Sequence, residues 1–298
     1  MVQLDIQVSI ITINYNGLAD TCALIDSITF NDSMEVIVVD NASTKDEAHE
    51  IARRYPKVKV IRSDHNLGFA GGNNLGIKAA KGKYLFLVNN DTLFRYEGLK
   101  GEMRLQPLID RLESSVKNGA VCPKIRFAWE TCPIQFAGYT PLTSITLRNK
   151  GIGYGEEDQG QHDVAHVTPY AHGAAMMIKR EVIDKVGLMP ECYFLYYEEL
   201  DWSMMMTRAG YEIWYEPAST IYHKESQATG QDSPLKNYYV TRNRLLFAKR
   251  NRNGILKILT YWYLIGIAGS KNIIKNLITG HWSLSGSTIR GIISFIKY

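Results

Sequence analysis

Several features of secreted, zinc-stabilised and membrane-spanning proteins are missing from this sequence. Its cysteines form no CxxC pair and have no zinc-ligand spacing to a histidine: Cys22, Cys122, Cys132 and Cys192. We therefore expect reduced thiols in the cytoplasm and neither disulfides nor a structural zinc ion. The first residues, MVQLDIQVSII, contain no basic segment before the apolar run and no small-residue cleavage site. This pattern predicts a first strand and not a signal peptide.

The sequence also lacks long apolar runs, and its last part lacks acidic residues. The longest nearly apolar stretch, Ile258 to Ala268, is about half of the roughly 20 residues that a membrane-spanning helix needs. From Lys236 to Tyr298 there are eleven lysines or arginines and no aspartate or glutamate, whereas the preceding residues carry 23 basic and 30 acidic side chains. This asymmetry predicts an anionic partner, either nucleic acid or a lipid surface.

The basic segment at the end of the chain is interleaved with aliphatic and aromatic residues. Lysines near whole helical turns apart would share one side of a helix from Ile255 to Ile278, and an apolar repeat from Ile289 to Ile296 follows an expected break at Gly280 to Ser287. We expect residues 251–298 to lie on an anionic membrane surface, with no nucleic acid bound. A helical subdomain packed on the rest of the chain, or a homodimer interface, is the alternative, because amphipathic helices usually face a core.

The rest of the composition suits one large globular domain, with 45% hydrophobic and 21% charged residues among 298. Apolar, β-branched runs at Val8–Asn14, Glu35–Asp40, Val58–Arg62 and from Tyr84 onward alternate with helical segments. Such alternation predicts an α/β fold with a mostly parallel, doubly wound sheet. We place this domain at residues 1–235 and a basic, amphipathic helical region at residues 236–298.

A glycine-rich stretch, Asn66 to Asn74 (NLGFAGGNN), follows the third predicted strand, and we expect a loop that leads into a helix at Leu75. The dinucleotide fingerprint requires its glycines directly after the first strand and an acidic residue about 20 positions later. Neither condition is met, so a nicotinamide or flavin enzyme is disfavoured. A tight turn with a helix cap is the other interpretation of these glycines.

The fourth strand, YLFLVNNDT, ends in the polar residues Asn89, Asn90 and Asp91. In open α/β sheets ligands bind at the carboxyl ends of the strands, so we predict a site there, with a divalent metal on Asp91. His172, beside Gly173, would line a pocket or satisfy the core. His223, directly after the predicted strand Glu212–Tyr222, is a ligand or a core residue.

A second polar cluster, YFLYYEELDW, places Glu198, Glu199 and Asp201 between aromatic residues and a predicted helix at Leu200–Ala209. Acidic residues in the first turn of a helix ordinarily cap it and interact with its dipole. A carboxylate that aromatic rings partly desolvate has a raised pKa and can act as a general base. Both interpretations are open on local grounds.

Six segments, in order, resemble the inverting family 2 glycosyltransferases of the GT-A fold, in particular their bacterial rhamnosyltransferase-like branch. The segments are VSIITINYNG, VIVVDNAST, NLGFAGGNNLGI, YLFLVNNDT, HGAAMMIKREV and FLYYEELDW. The resemblance extends from about Val8 to Arg250. It implies transfer of rhamnose or a related hexose from a nucleotide-sugar donor, dTDP- or UDP-linked, to a hydroxyl of a glycan or lipid-linked acceptor in cell-surface polysaccharide synthesis.

The resemblance also implies roles for individual residues. Glu199 would deprotonate the acceptor hydroxyl, and Asp91 with His223 would hold Mg²⁺ or Mn²⁺. The donor would be bound by residues from each of the other segments: Asn14, Asn16, Asp40, Asn66, Gly68, Gly71, Asn73, Asn89, Asn90 and His172. Arg242, Asn243 and Arg244 resemble a basic motif that follows the late histidine in the family.

Two departures from the family pattern leave another function open. Asn89 stands where many relatives have aspartate, so the metal would depend on Asp91, diphosphate oxygens and water. Glu199 replaces the commoner aspartate and reaches one methylene further. A non-catalytic sugar-nucleotide-binding or adaptor protein with a degenerate site is therefore the alternative function. A sugar nucleotidyltransferase is disfavoured, because no glycine-rich loop bearing arginine and lysine follows the first strand. The enzyme would be cytoplasmic and peripheral on the inner face of the cell membrane.

Overall fold

The computed structural model describes residues 6–95, 103–225 and 233–298. In its first part, strands and helices alternate as β1 (Val8–Asn14), α1 (Leu18–Ser27), β2 (Met34–Asp40), α2 (Glu47–Arg54), β3 (Lys59–Arg62), α3 (Gly68–Ala79) and β4 (Tyr84–Val88). The strands of this part begin or end within one or two residues of the predicted bounds. Their side chains explain this, since Tyr84 to Val88 is buried throughout, as in a sheet covered on both faces.

The second part adds six strands of between two and twelve residues and three α-helices among the described residues. These are β5 (Thr92–Leu93), α4 (Leu105–Glu113), β6 (Asn118–Phe127), β7 (Ile134–Phe136), β8 (His166–Val167), β9 (Ala175–Lys179), α5 (Arg180–Val186), α6 (Glu198–Arg208) and β10 (Glu212–His223). The chain then continues through α7 (Pro234–Asn251), α8 (Gly254–Tyr261), a π-helical segment (Trp262–Gly269), α9 (Ser270–Ile278) and α10 (Trp282–Ile296).

The ten strands found among the described residues belong to one sheet, whose main path runs β3-β2-β1-β4-β9-β6-β10-β5. The four strands β3, β2, β1 and β4 are parallel, β9 is antiparallel to β4 and β6, and β10 is parallel to β6. This arrangement confirms the predicted α/β class with a mostly parallel sheet. The register places Asn14 beside Asp40, so the carboxyl ends of β1 and β2 meet at one edge.

The glycine-rich stretch is not the predicted loop, because α3 already begins at Gly68. A Cβ atom on Gly76 would lie 2.4 Å from Ile11 Cγ2, and one on Gly72 would lie 2.9 Å from Ile13 Cδ1. These glycines therefore let the helix pack directly against β1. The prediction was wrong because local glycine content opposes a helix, whereas close packing on a strand requires small residues.

The C-terminal helices pack against one another and against the α6 side of the sheet domain. Asn237 Nδ2 in α7 donates to Leu284 O at 2.9 Å, and a Cβ atom on Gly291 would lie 2.9 Å from Tyr238 O, so α10 lies close on α7. Leu245, Phe247 and Leu264 pack with Tyr193 in a small hydrophobic core that is separate from the core around the sheet. The predicted break between the helices is present but shorter than Gly280 to Ser287: α9 ends at Ile278 and α10 begins at Trp282.

No helix of the described residues combines the length and the apolar character that crossing a membrane requires. The predicted membrane-surface and homodimer roles of residues 251–298 remain predictions.

Candidate active site

One end of the candidate site is a buried hydrogen-bond network where β1 and β2 end. Asn14 Nδ2 donates to Asp40 Oδ1 at 2.9 Å and to Glu47 Oε2 at 2.8 Å, while Asn14 Oδ1 accepts from Thr21 at 2.7 Å. Asn16 Oδ1 accepts from the Thr44 backbone N–H and hydroxyl, both at 2.8 Å. Asn14 and Asn16 therefore hold the two strand ends together through their side chains.

Asp40 differs from these asparagines because one of its oxygens is unused. The residue is fully buried, and its Oδ2 atom has no hydrogen-bond partner among the described residues. The nearest cation is Arg62, whose Nη1 lies 3.9 Å from Oδ2. A buried carboxylate oxygen without a partner is costly in a folded protein, so Oδ2 is the atom of this network that a hydrogen-bond donor on a ligand would satisfy.

Asn41 connects this network to α3, and the sequence interpretation did not single it out. Its Oδ1 accepts from the Leu67 N–H at 2.9 Å, and its Nδ2 donates to Asn66 Oδ1 at 3.0 Å and to Gly68 O at 3.1 Å. Asn66 Oδ1 also accepts from the Gly68 N–H at 2.8 Å. The available signal was its position directly after Asp40, within the family segment VIVVDNAST.

Gly68 brings α3 against the segment that precedes Glu198. Its φ of +72° suits glycine, and an added Cβ would lie 2.2 Å from Phe194 O. The next N–H, of Phe69, donates to that same oxygen at 2.7 Å. Gly71 and Asn73 make contacts within the start of α3, since a Cβ on Gly71 would lie 2.7 Å from Leu67 Cβ and Asn73 Nδ2 donates to Phe69 O at 3.0 Å. Donor contacts by these residues remain predictions.

The end of β4 meets the end of β10, which brings Asp91 and His223 together. Asp91 Oδ1 lies 3.0 Å from His223 Nε2, and both residues are buried. Asn89 Nδ2 lies 3.4 Å from the same ring nitrogen. Asn90 turns the other way, towards α1, where its Nδ2 donates to Thr21 Oγ1 at 3.0 Å.

Gln135 in β7 fixes the orientation of the His223 ring. Its Oε1 lies 2.8 Å from His223 Nδ1, so Nδ1 carries hydrogen and Nε2 is the ring nitrogen that faces Asp91. Two acceptors at 3.0 Å require a proton or a cation between them. The sequence interpretation missed Gln135, because a glutamine in a short strand-like run carries no local signal.

The ligand atoms of Asp91 and His223, a carboxylate oxygen and an imidazole nitrogen, fit a divalent cation that also binds a diphosphate. Within residues 6–95, 103–225 and 233–298, no group of three or more histidine, cysteine, aspartate or glutamate side chains gathers as a complete metal site. Asp91 and His223 would thus supply two protein ligands. Mg²⁺ commonly uses one or two carboxylates with substrate phosphates and water, which matches an incomplete protein set of this kind.

His172 lies in the turn before β9, between the metal pair and α6. The Ala174 N–H donates to His172 Nδ1 at 3.1 Å, and Ala174 O accepts from the Asn89 N–H at 3.0 Å. The ring stacks on Tyr139 with centroids 5.9 Å apart. Burial and then the neighbouring His223 lower the pKa of His172 to about 3, so the ring is neutral at physiological pH. The turn lies between the short strands β8 and β9.

The three carboxylates of the second cluster occupy different environments at the start of α6, which begins at Glu198 and not at Leu200. Asp201 is a structural residue, since its oxygens accept from Arg250 Nε at 2.5 Å, Asn251 Nδ2 at 2.7 Å and the Tyr193 hydroxyl at 3.1 Å. Glu198 is 2% exposed, and its Oε2 atom lacks a hydrogen-bond partner in the part of the chain that the structure describes. Glu199 is partly exposed.

The two neighbouring glutamates have raised pKa values. Burial, and then the charge of Glu199, raise the pKa of Glu198 to about 8. Burial also raises the pKa of Glu199. The Cγ atom of Glu199 would lie 3.9 Å from a Cβ on Gly173, so this side chain lies beside the turn that holds His172. Glu199 is thus the accessible carboxyl of the pair and Glu198 the enclosed one.

Helix α7 holds the backbone that leads into these glutamates. Asn243 Nδ2 donates to Tyr193 O at 3.0 Å, Leu195 O at 2.7 Å and Tyr196 O at 2.9 Å. Phe194, Tyr196 and Tyr197 all have positive φ angles, of 68°, 69° and 79°. Non-glycine residues adopt such angles only where the surroundings hold them, and Asn243 provides that restraint.

Comparisons with known proteins agree on the type of enzyme. Residues 9–187 match the family described as Glycosyl transferase family 2. The low-salt glycan biosynthesis hexosyltransferase Agl10 of Haloferax volcanii is 26% identical over 80% of this chain and 74% of its own length. The N-acetylglucosaminyl-diphospho-decaprenol L-rhamnosyltransferase of Mycobacterium tuberculosis is 22% identical over 78% of this chain and 80% of its own.

Solved structures share the fold at low sequence identity. The crystal structure of GalNAc-T7 with UDP, GalNAc and Mn²⁺ has a TM-score of 0.61 and 16% identity, over 94% of this chain and 58% of that chain. The mannosyltransferase PcManGT from Pyrobaculum calidifontis, in complex with GDP-Man and Mn²⁺, has a TM-score of 0.57 and 16% identity, over 97% and 87%. These likenesses confirm the predicted GT-A fold.

Proposed function

The chain belongs to glycosyl transferase family 2, and we propose that it is a metal-dependent, inverting hexosyltransferase that uses a nucleotide-sugar donor. The observation that carries the proposal is the placement of two chemistries at one edge of the sheet. The pair Asp91 and His223 suits a metal ion that also binds a diphosphate. Glu199 lies beside Gly173, in the turn next to this pair, and burial raises its pKa. Leaving-group and nucleophile functions are both required for sugar transfer.

At the donor end, Asp40 would accept a hydrogen bond from the base or ribose through its unused oxygen. Asp91 and His223 would hold Mg²⁺ or Mn²⁺, which, when bound, supplies positive charge to the diphosphate leaving group. Gln135 keeps the His223 lone pair directed at that position. Asn89 adds an amide beside the pair.

At the acceptor end, Glu199 would remove the proton from the acceptor hydroxyl as its oxygen attacks the anomeric carbon. The bond from that carbon to the diphosphate breaks in the same displacement, so the configuration inverts. A general base is most effective when its pKa lies near the working pH, and desolvation moves the pKa of Glu199 in that direction. Glu198, enclosed and with a pKa of about 8, stays protonated and does not compete for the proton.

The donor and acceptor classes rest on the names of the relatives. One relative is a hexosyltransferase of glycan biosynthesis, and another is a rhamnosyltransferase named for a diphospho-decaprenol acceptor. These names support rhamnose or a related hexose and a glycan or lipid-linked acceptor. The dTDP- or UDP-linked donor and the role in cell-surface polysaccharide synthesis follow from the resemblance to the family.

A lipid-linked acceptor requires the enzyme to reach a membrane, and residues 251–298 provide a suitable surface. Large apolar side chains are exposed along α8, α9 and α10, including Ile255 at 69%, Ile278 at 80% and Trp282 at 71%. Lysines and arginines accompany them, and acidic residues do not. This combination favours peripheral binding to the inner face of the cell membrane over a homodimer interface.

A non-catalytic sugar-nucleotide-binding or adaptor protein is the second candidate. Its supporting observation is Asn89, which leaves Asp91 as the carboxylate of the metal motif. Donor turnover separates the two candidates, because an adaptor binds the nucleotide sugar and releases no nucleoside diphosphate.

A donor screen tests the proposed function. The melting temperature would be measured with a panel of dTDP-, UDP- and GDP-sugars, with Mn²⁺ or with chelator. We expect one donor class to stabilise the wild-type protein only with Mn²⁺, and we expect Asp91→Asn to lose that stabilisation. The matched control is Asp110→Asn, an exposed position on α4 that should respond like the wild type. Equal stabilisation with metal and with chelator would contradict the metal assignment.

A further inference from the structure

A cavity of about 410 Å³ lies among the C-terminal helices and the segment around Arg148, and none of the described residues that line it belongs to the donor, metal or general-base residues named above. Four cationic side chains line it, and none of its described lining residues is acidic: Arg148, Arg244, Lys271 and Lys275. Most of the cavity lies outside the family match at residues 9–187. Its volume is in the range of small-ligand sites.

The positive charge of this cavity is not neutralised within the described part of the chain. None of the four cations lies within 4.0 Å of a carboxylate oxygen there, whereas Arg250 on the same helix, α7, pairs with Asp201. Arg244 Nη2 donates to Thr146 O, but its buried Nε–H has no hydrogen-bond acceptor among the described residues. A buried donor without an acceptor and a group of like charges are both unfavourable until an anion binds.

The remaining walls of the cavity are amphipathic. Asn272 Nδ2 donates to Asn237 Oδ1 at 3.2 Å and to Thr288 Oγ1 at 3.0 Å, so one wall is polar and ordered by hydrogen bonds. Leu264 and Ile267 form an apolar wall. Ile267 is 42% exposed and belongs to the same apolar helical surface as Trp262. An anion that carries a hydrocarbon chain would match both walls.

The cavity adjoins the acceptor end of the candidate active site through α7. Arg244 follows Asn243, whose side chain holds the carbonyls of Tyr193, Leu195 and Tyr196. Burial raises the pKa of Tyr197 to about 12, and the nearby charge of Arg244 opposes that rise. Tyr197 directly precedes Glu198 and Glu199, so the cation Arg244, which lines the cavity, lies near the residue next to these two glutamates.

We propose that this cavity binds the phosphate or diphosphate group of a lipid, with the hydrocarbon chain leaving along the apolar surface of α8 to α10. The choice of a lipid-linked acceptor as its source rests on the proposed function. An anionic phospholipid headgroup has the same chemistry, and the arms of the experiment below separate the two sources.

The test uses the full-length protein in chelator, so that a diphosphate does not bind through a metal at Asp91. Binding of farnesyl diphosphate, inorganic pyrophosphate and farnesol would be measured by calorimetry, and binding to phosphatidylglycerol and phosphatidylcholine vesicles by co-sedimentation. The cavity variant is Lys271→Gln/Lys275→Gln. The control variant is Lys249→Gln/Lys297→Gln, which removes the same charge from two exposed lysines of the same region that do not line the cavity.

We expect farnesyl diphosphate to bind more tightly than pyrophosphate, farnesol not to bind, and the cavity variant to weaken farnesyl diphosphate binding at least tenfold while the control stays within twofold. Loss confined to phosphatidylglycerol vesicles would support the cavity with a phospholipid headgroup as the source. Equal weakening by both variants, or no binding of any anionic probe by the wild type, would overturn the proposal. Stabilisation by donor and Mn²⁺ should be unchanged in the cavity variant, so failure of that donor response with intact farnesyl diphosphate binding would contradict the proposed function alone.

Discussion

Environment gives three neighbouring carboxyl groups different properties at the start of α6. Asp201 accepts hydrogen bonds from Arg250 and Asn251, Glu198 is enclosed and its Oε2 has no partner among the described residues, and Glu199 is partly exposed beside Gly173. Their adjacency in the sequence shows that the roles depend on the direction each side chain takes from the helix. Residue type alone left a capping role and a general-base role open, and the resemblance to the family named Glu199 as the base. Packing makes Glu199 the more accessible of the two glutamates.

Glu198 makes stability depend on pH. Its folded pKa of about 8 lies above the ordinary value of 4.5, so the folded state binds more protons than the unfolded state between these values. Stability therefore falls as pH rises through that window. We expect Glu198→Gln, which mimics the protonated side chain, to flatten the fall in melting temperature between pH 5 and pH 8. The control Glu130→Gln changes an exposed glutamate and should retain the wild-type slope. An unchanged slope in Glu198→Gln would contradict the assignment.

Gln135 is a positioning residue for the metal pair. Gln135→Leu removes the acceptor for His223 Nδ1–H and frees the ring to turn or to change tautomer. Loss of such an outer-shell partner typically weakens metal binding about 10- to 100-fold. We expect a rise of that size in the Mn²⁺ concentration needed for half-maximal donor turnover, with a smaller change at saturating Mn²⁺. Gln135→Glu keeps an acceptor at the same position and should restore much of the affinity. The same Mn²⁺ dependence in all three proteins would contradict this role.

At the scale of elements, the sequence predicted the strands β1 to β4 correctly but placed the start of α3 in a loop. The apolar runs of β1, β2 and β4 are buried on both faces, and a nearly continuous apolar sequence predicts such burial. The glycines of α3 are explained by contacts with Ile11, Ile13 and Phe194, which are distant in sequence. The resemblance to the family identified the segment, but only the packing shows that its start is helical.

Gly68 links α3 to the Phe194 backbone and should be sensitive to substitution. In Gly68→Ala the new Cβ would meet a backbone oxygen at 2.2 Å, at a φ of +72°. We expect Gly68→Ala to cost about 1–3 kcal/mol of stability, as is typical of overpacking, and to reduce transfer by displacing the segment before Glu199. Thermal melts and turnover would measure both effects.

Gly286, on α10, is the matched control for this prediction because a Cβ there meets nothing within 4 Å. Gly286→Ala should stabilise the protein by up to ~1 kcal/mol through helix propensity. If the two variants had equal stability, the close approach at Gly68 would be refuted.

At the scale of the whole molecule, the C-terminal helices support the site as well as offering a surface. Asn243 restrains the segment before Glu198, and Arg250 pairs with Asp201. The sequence predicted helices, their basic charge and a motif at Arg242 to Arg244. It did not predict these contacts, because they join residues about 50 positions apart and depend on how α7 lies across α6.

The exposed tryptophans of the C-terminal helices provide a test of membrane binding. Trp262 is 64% exposed and Trp282 is 71% exposed. We expect Trp262→Ser/Trp282→Ser to lower the partition coefficient onto phosphatidylglycerol vesicles by about 30-fold or more, since each buried aromatic contact contributes ~1 kcal/mol or more. Trp129→Ser, at an exposed position outside this region, is the control. Equal vesicle binding by all three proteins would leave the homodimer interface as the better account of this surface.

The central claim is that Asp91 and His223 serve the leaving group while Glu199 activates the acceptor. Its most direct test is the release of nucleoside diphosphate from the donor found in the screen, measured with a lipid-linked saccharide acceptor and with or without Mn²⁺. We predict release that requires metal, that Asp91→Asn abolishes, and that Glu199→Gln lowers by about 10²–10⁴-fold while donor binding is retained. Release by Glu199→Gln at the wild-type rate, or at the same rate in chelator, would contradict the account.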